Sequence, residues 1–527
     1  MKMKNIKLIG IGLVGAILMI GCTDLDEELN DSVNEAAGFS ASDLLAGAYS
    51  SMRELQHEQD ILASYVHSSD ELIAPTRGAD WDDAGAWRDH HLHSWTNTHP
   101  HIDKTWRDLN SRAFNAQLVL CNGDASATEI AEATFLRTLS DFFTLDLFGV
   151  VPRRACNEDL LQPPTQQLGR AEAIDVFISE MEAVLNDMPT ANGPITATQN
   201  AGRMLLAKLY LNKAVYKATG QDGVAQPGPY TFDPVDMTMA INHLNEITGY
   251  SLEDDYFSSF TPTNTETSTE IIFVSENELG GATGNIRNRW HMTMHYNQQP
   301  SGWNGFVATA DLYNLFEDGD VRRSTDIPGL TDAFGYNAGF LVGQQQGPSD
   351  KTLTSLIDLE DRPGNPLVFT EEVDIFSSNE RNGIRVIKYL PNLELSADAD
   401  GISFSNDDAP GNDYVFFRYA DARLMKAEAI LRGGTDTNGE SALAIINELR
   451  TSRNASMLPA VTESDILDER SRELYWEGWR RNDQIRFNTF LGTWQAKADA
   501  SPERALLMPI PAEALATNPN LTQNSGY

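Results

Sequence analysis

Five aromatic residues stand where their neighbours are turn formers and polar groups rather than builders of regular structure. Trp81 and Trp87 lie in the run Arg77-Gly78-Ala79-Asp80-Trp81-Asp82-Asp83-Ala84-Gly85-Ala86-Trp87-Arg88, which has no helical periodicity. Trp290 follows Asn288-Arg289, and Tyr296 leads into Asn297-Gln298-Gln299-Pro300-Ser301-Gly302-Trp303-Asn304-Gly305. Flat rings on loops, rimmed by Arg77, Asp80 and Asn304, suit a ligand with apolar C–H faces and hydroxyl edges, such as a sugar ring. Indole offers the largest flat area per side chain, so Trp81, Trp87, Trp290, Tyr296 and Trp303, with Asp80, Arg77 and Asn304, form the predicted ligand-binding set.

Other reactive residue types carry weaker patterns. His90, His91, His93, His99 and His101 fall close together. Their spacing matches no helix-borne metal motif and no cysteine joins them, so packing is expected there and no metal. The acid-rich turns Asn406-Asp407-Asp408, with Asn412-Asp413, and Glu317-Asp318-Gly319-Asp320 lack the spacing of an EF-hand loop. A glycoside hydrolase needs two opposed carboxylates, but among 76 acids a pair carries no information. Nucleophile-elbow, P-loop and dinucleotide signatures are missing from the sequence. No catalytic residue and no cofactor is predicted.

These groups need a frame, and the rest of the chain supplies one. Apolar residues recur at helical spacing over Trp106–Leu120, Thr128–Leu147, Arg170–Met188, Gly202–Ala218, Asp236–Thr248, Tyr414–Leu431, Ser441–Arg453 and Asp465–Phe487. Several fall into consecutive pairs with the length of tetratricopeptide-type units. Between residues 251 and 412 Gly, Asn, Ser, Thr and Asp punctuate the chain, and short β-like runs such as Glu270–Val274 and Ile384–Tyr389 occur. The expected fold is mainly α: tetratricopeptide-like helix pairs as a scaffold, with a loop-rich insert carrying short β-strands. The expected parts are a helical stretch 35–250, a loop-rich ligand-binding stretch 251–412 and a helical stretch 413–527. Residues 76–104 form a second loop-rich excursion.

The start of the chain reads as an export signal. Lys2, Lys4 and Lys7 precede an apolar run from Leu8 to Gly21, too short for a comfortable membrane span. Met19-Ile20-Gly21-Cys22 resembles a lipobox, which implies a signal peptide over 1–21, lipidation of Cys22 and attachment to a bilayer. Residues 22–34 then read as an acidic tether. Loss of the three lysines takes the formal charge from -37 to -40. Such a surface repels nucleic acid and polyanionic polymers and favours a neutral ligand. Cys121 and Cys156 remain, either bridged or as free thiols.

Six motifs in order support a family. They are Ala133–Arg137 with Leu145-Asp146-Leu147-Phe148-Gly149-Val150-Val151-Pro152; Gly202–Leu211; Phe417–Ala429; Glu469–Leu474 with Glu477, Gly478 and Arg480; Leu507–Pro511; and Asn518–Tyr527. Behind the lipobox, they resemble the SusD/RagB family of outer-membrane nutrient-uptake lipoproteins of the Bacteroidetes. Read on their own, Arg418, Asp421, Arg423, Glu428, Glu469, Arg472, Glu473, Glu477 and Arg480 have spacings suited to ion pairs that fix helix packing. The resemblance implies a cell-surface protein with no enzymatic role, seated over a TonB-dependent, SusC-like barrel, with binding aromatics on loops in the two regions named above. The expected ligand is an oligosaccharide, most simply a laminarin-like β-glucan or an α-glucan. A peptide nutrient is the alternative, and a glycoside hydrolase ranks below it.

Overall fold

The computed structural model describes residues 38–220, 223–349, 355–392, 395–398, 401–404 and 410–527. The signal, Cys22, the tether and the turn at 406–408 lie outside the described residues. Ser40–Tyr527 forms one unit.

Its centre is the helix Ala127–Phe148. Ser126 and Glu129 form a capping box at its start, and Gly149, at φ 73°, ends it in the left-handed conformation that glycine tolerates. From Ala131 to Phe148 every residue except Arg137 is buried, so this helix is enclosed on all faces. Pro100–Leu120 packs along it and begins earlier than the apolar pattern suggests, because His99 caps it and Pro100 takes the first turn. Arg170–Val184, Gln199–Lys217 and Pro234–Asn245 follow, each packed on the one before. Tyr419–Leu431 then packs against Pro234–Asn245, Ala442–Ser452 and Glu463–Leu474. The expected class, mainly α with short strands, is the observed one, the strands forming small scattered sheets.

Two expected helices are corrected. Tyr414–Arg418 is a strand, paired antiparallel with Ile271–Ser275 so that Val415 faces Val274. Tyr414-Val415-Phe416-Phe417 is a continuous apolar run buried throughout, and such a run fits a covered strand as well as a helix. The stretch read as one helix over Asp465–Phe487 is two, Glu463–Leu474 and Arg480–Arg486. Trp476 (φ 60°) and Gly478 (φ 88°) turn the chain between them. A Cβ at Gly478 would sit 2.6 Å from Ile61 Cγ2, so both the conformation and the close approach require glycine.

The polar family motifs lie inside the fold. Glu473 receives the guanidinium groups of Arg322, Arg418 and Arg453 at 2.7 to 3.0 Å, all four side chains being essentially inaccessible. Arg418 also reaches Glu477 at 2.8 Å and Glu270 at 3.1 Å. Burial alone would raise Glu473, but the Arg453, Arg418 and Arg322 charges hold it well below the usual carboxylate range. Asp421 meets Lys208 at 2.5 Å and Arg470 at 3.0 Å, and Glu428 meets Arg486 at 2.7 Å. Most of these pairs join different elements, so the charges connect helices to one another as well as lying along them.

Cys121 and Cys156 are bridged, tying the end of the helix Pro100–Leu120 to the chain beyond the strand Val150–Arg153. The site-bearing loops are anchored by short pairings: Leu72–Ile73 with Val307–Ala308, and Ala308 with Ile384. Arg385–Ile387 continues into a sheet with Ala338–Leu341 and Ser324–Thr325. Three segments distant in sequence are thereby brought side by side.

Candidate functional site

Trp81 sits in a strained loop. Its φ is 63°, and Asp83 (37°), Ala84 (52°) and, across the site, Asn304 (54°) share the left-handed region. Non-glycine residues reach that region at a cost of about 1–3 kcal/mol each, which the surroundings must offset. The Arg77 guanidinium supplies part of the offset by bonding the carbonyls of Asn379 and of Asn382, the latter at 2.9 Å. Arg385 does the same for Asn304, donating to its Oδ1 at 2.7 Å.

The result fixes two indoles beside each other. Trp81 Nε1 donates to the Trp303 carbonyl at 3.0 Å. The Trp81 ring lies so close over Gly305 that a Cβ there would sit 2.2 Å from it, so only glycine admits the ring. Beneath, the Trp81 ring rests on Phe306 (5.3 Å) and Trp87 (6.4 Å). Trp303 is 48% exposed, with the His291 ring at 4.8 Å nearly perpendicular to it. An indole this open on a loop leaves apolar area without a partner in the chain.

Polar groups rim these rings. Tyr296 donates its hydroxyl to Asp80 Oδ2 at 3.2 Å. The Arg362 guanidinium covers one face of the Tyr296 ring at 3.9 Å and approaches Asp80 at 3.5 Å. Arg362 also bonds Glu380, which is held by His295 at 3.0 Å. Burial alone would raise Glu380, but the Arg362 backbone N–H and guanidinium, with His295, hold it below the ordinary carboxylate value. Burial pushes His295 down to about 4, against the pull of Glu380. Phe376, 62% exposed, joins the same loops through Arg88, whose guanidinium lies 5.5 Å over its ring.

Of the predicted set, the structure brings Trp81, Trp303, Tyr296 and Asp80 together at the surface. It places Trp87, Trp290, Arg77 and Asn304 inside, where they support that surface. The short helix Ala86–Leu92 turns Trp87 inward onto His101 and His67. The helical turn Asn288–His291 buries Trp290 completely. Sequence reasoning missed Arg362, Phe376 and Glu380, which come from a third segment. The turn Arg362-Pro363-Gly364 and the pair Ile375-Phe376 between Asp374 and Ser377-Ser378 were the signals present.

Two other features bear on the choice of site. A cleft of about 410 Å³ is lined by Tyr230, Phe232, Phe487 and Arg432. There the Arg432 guanidinium lies 3.8 Å from the Phe232 ring and 4.5 Å from Phe487, so the chain's own cation occupies those ring faces. Among the described residues no cation covers the Trp303 ring. Meanwhile His90, His99 and His101 meet in a buried cluster that their sequence spacing did not suggest. Among the described residues no helix is long and apolar enough to cross a membrane.

A mainly helical frame thus presents open aromatics on cross-braced loops. Known proteins resemble this chain in part of its sequence and in its fold. The model of the SusD family matches residues 376–527. The starch-binding protein SusD of Bacteroides thetaiotaomicron is 29% identical over 430 residues, 75% of this chain and 72% of that protein. Among solved structures, a laminarin-binding SusD-like protein shares the fold at a TM-score of 0.63 and 19% identity, over 92% of this chain and 99% of that one. Surface glycan-binding protein A of B. thetaiotaomicron, solved with laminarihexaose, does so at 0.64 and 16%, over 92% and 98%. Residues 376–527 thus carry the pattern of the SusD family, and the described unit shares the fold of SusD-like proteins.

Proposed function

We propose that this protein captures neutral oligosaccharides at the cell surface by stacking them on Trp303 and Trp81. Tyr296, Phe376, Asp80 and Arg362 complete the face. The observation that carries this reading is Trp303, an indole nearly half exposed whose carbonyl is held by Trp81 from a loop with left-handed backbone at Trp81, Asp83 and Ala84. Sugar rings bury C–H faces on such indoles, and the rim groups bond the hydroxyls. A formal charge of -37 disfavours anionic polymers. The starch-binding and laminarin-binding relatives support an α-glucan or a laminarin-like β-glucan.

Binding without cleavage also fits the rim. A glycosidase acid must hold its proton near neutral pH, which calls for a raised carboxyl pKa. Glu380 is shifted the other way. Cys22 anchors the protein to the outer membrane by its lipid, and a TonB-dependent, SusC-like barrel receives the ligand. Residues 251–412, together with the loop before the helix Ala86–Leu92, carry recognition on the helical stretches 35–250 and 413–527. Affinity electrophoresis of the purified protein through gels containing starch, laminarin or an anionic polysaccharide tests the reading. Retardation by a neutral glucan is expected. Equal mobility in all gels would overturn it.

A further inference from the structure

The histidines beneath the platform form a second site of a different kind. His90 and His91 end the helix Ala86–Leu92, while His99 caps Pro100–Leu120 and His101 lies in its first turn. This meeting of helix ends brings one ring nitrogen each from His90, His99 and His101 within 4.8 Å of one another, all three residues being buried. Their rings touch: His90 to His99 at 4.6 Å, His99 to His101 at 5.3 Å, and His90 to His101 at 5.5 Å.

Ordinary packing accounts for stacked rings but not for their nitrogens. Among the described residues, both ring nitrogens of His90, at 0% exposure, lack a hydrogen-bond partner, and so does Nδ1 of His101. Leaving a buried polar group unsatisfied costs about 1–3 kcal/mol, so such groups nearly always have a partner. His91 and His93, just outside the cluster, show the ordinary case: His91 bonds the carbonyls of Leu72 and Gln495, and His93 bonds Ser68 and Ser501. His99 is oriented as metal-bound imidazoles commonly are. Its Nε2 lies 2.9 Å from the Ala86 carbonyl, leaving Nδ1 with only the long 3.4 Å contact from the Ile102 N–H.

We propose that His90, His99 and His101 bind a transition-metal ion of the zinc class, held by three neutral imidazoles. A ligand set of nitrogen alone selects zinc, copper or nickel over calcium and magnesium, which take oxygen. Tetrahedral zinc, with bonds of about 2.0–2.1 Å, needs its nitrogens roughly 3.3 Å apart, so a small rotation of the rings closes the site. His67, whose ring nitrogens also lack partners, flanks the cluster across Trp87. The ion would join the Ala86–Leu92 helix to Pro100–Leu120 directly under Trp87.

The test is zinc binding by the purified protein after chelation and dialysis, followed by titration calorimetry and metal analysis. One equivalent of zinc per chain is expected. Cobalt substitution should give visible d–d bands, and X-ray absorption should show three imidazole ligands. H90Q and H101Q should each weaken zinc binding by about 100-fold or more, while H91Q, outside the cluster, leaves it unchanged. Wild-type protein that takes up no zinc, or a H90Q/H101Q double variant that binds it equally, overturns the proposal. If the variants fail to fold, the cobalt and absorption spectra of the wild type decide: ligation by fewer than three imidazoles refutes the site.

Discussion

The core around Glu473 and the face around Trp303 are opposite solutions to the same problem. In the core, charged groups that would be costly alone are matched within the chain: Arg322, Arg418 and Arg453 all converge on Glu473. At the face, apolar rings that a folded protein would normally cover are left open, although their backbone is cross-braced as firmly as a core element. The contrast teaches where to look for function. A polar group whose partners all belong to the chain has a structural job. A rigidly held apolar group with no partner awaits something from outside.

The comparison breaks most sharply at Glu473. Replacing it with alanine leaves three buried guanidinium groups short of a counter-charge and should cost about 3–5 kcal/mol of stability, read by denaturant unfolding. If the loss is under about 1 kcal/mol, the network is not what joins the helices. Replacing Trp303 with alanine should do the reverse. It should weaken glucan binding by about 2 kcal/mol, roughly 30-fold, while unfolding shifts by no more than about 0.5 kcal/mol. Trp81→Ala lies between the two cases, because that ring is half-buried on Gly305 and Phe306. Both stability and affinity should fall, each measurably.

Arg362→Ala sharpens the account of the rim. It frees one face of Tyr296 and releases Asp80 and Glu380 together. Because Arg362 is half-exposed, affinity should change by only about 1 kcal/mol, measured by calorimetry. The smallest effect concerns pH. His295 sits at about 4 in the folded protein, below the ordinary histidine value. Its contribution to stability is therefore complete above about pH 6.5 and is lost as the pH falls from there to about 4. His295→Gln should flatten that part of the stability profile, and glucan affinity should be constant from neutral pH down to about 6.5.

Legibility in the sequence followed the same divide. The long helices could be read because apolar residues keep a helical period along them, as over Ala127–Phe148. The strand Tyr414–Arg418 could not, since a fully covered run loses the alternation that would distinguish it. At the site, loop chemistry singled out Trp303, Trp81, Tyr296 and Asp80. It failed for Trp87 and Trp290, because one short helix and one helical turn face them inward, and segments that short leave little periodicity to read. Arg362, Phe376 and Glu380 were passed over for a different reason, since their local signals name no partner. They acquire meaning only when the pairing of Ala308 with Ile384 carries their segment to the other two. The bridge between Cys121 and Cys156 was likewise undecidable from spacing and plain in the structure.

The most direct trial of the central claim is a side-by-side titration of wild-type and Trp303→Ala protein with a neutral glucan oligosaccharide, each checked for its melting temperature. The account predicts a large drop in affinity at an unchanged melting temperature. Equal affinity in the two proteins would contradict it, because the exposed indole would then not be where the ligand docks.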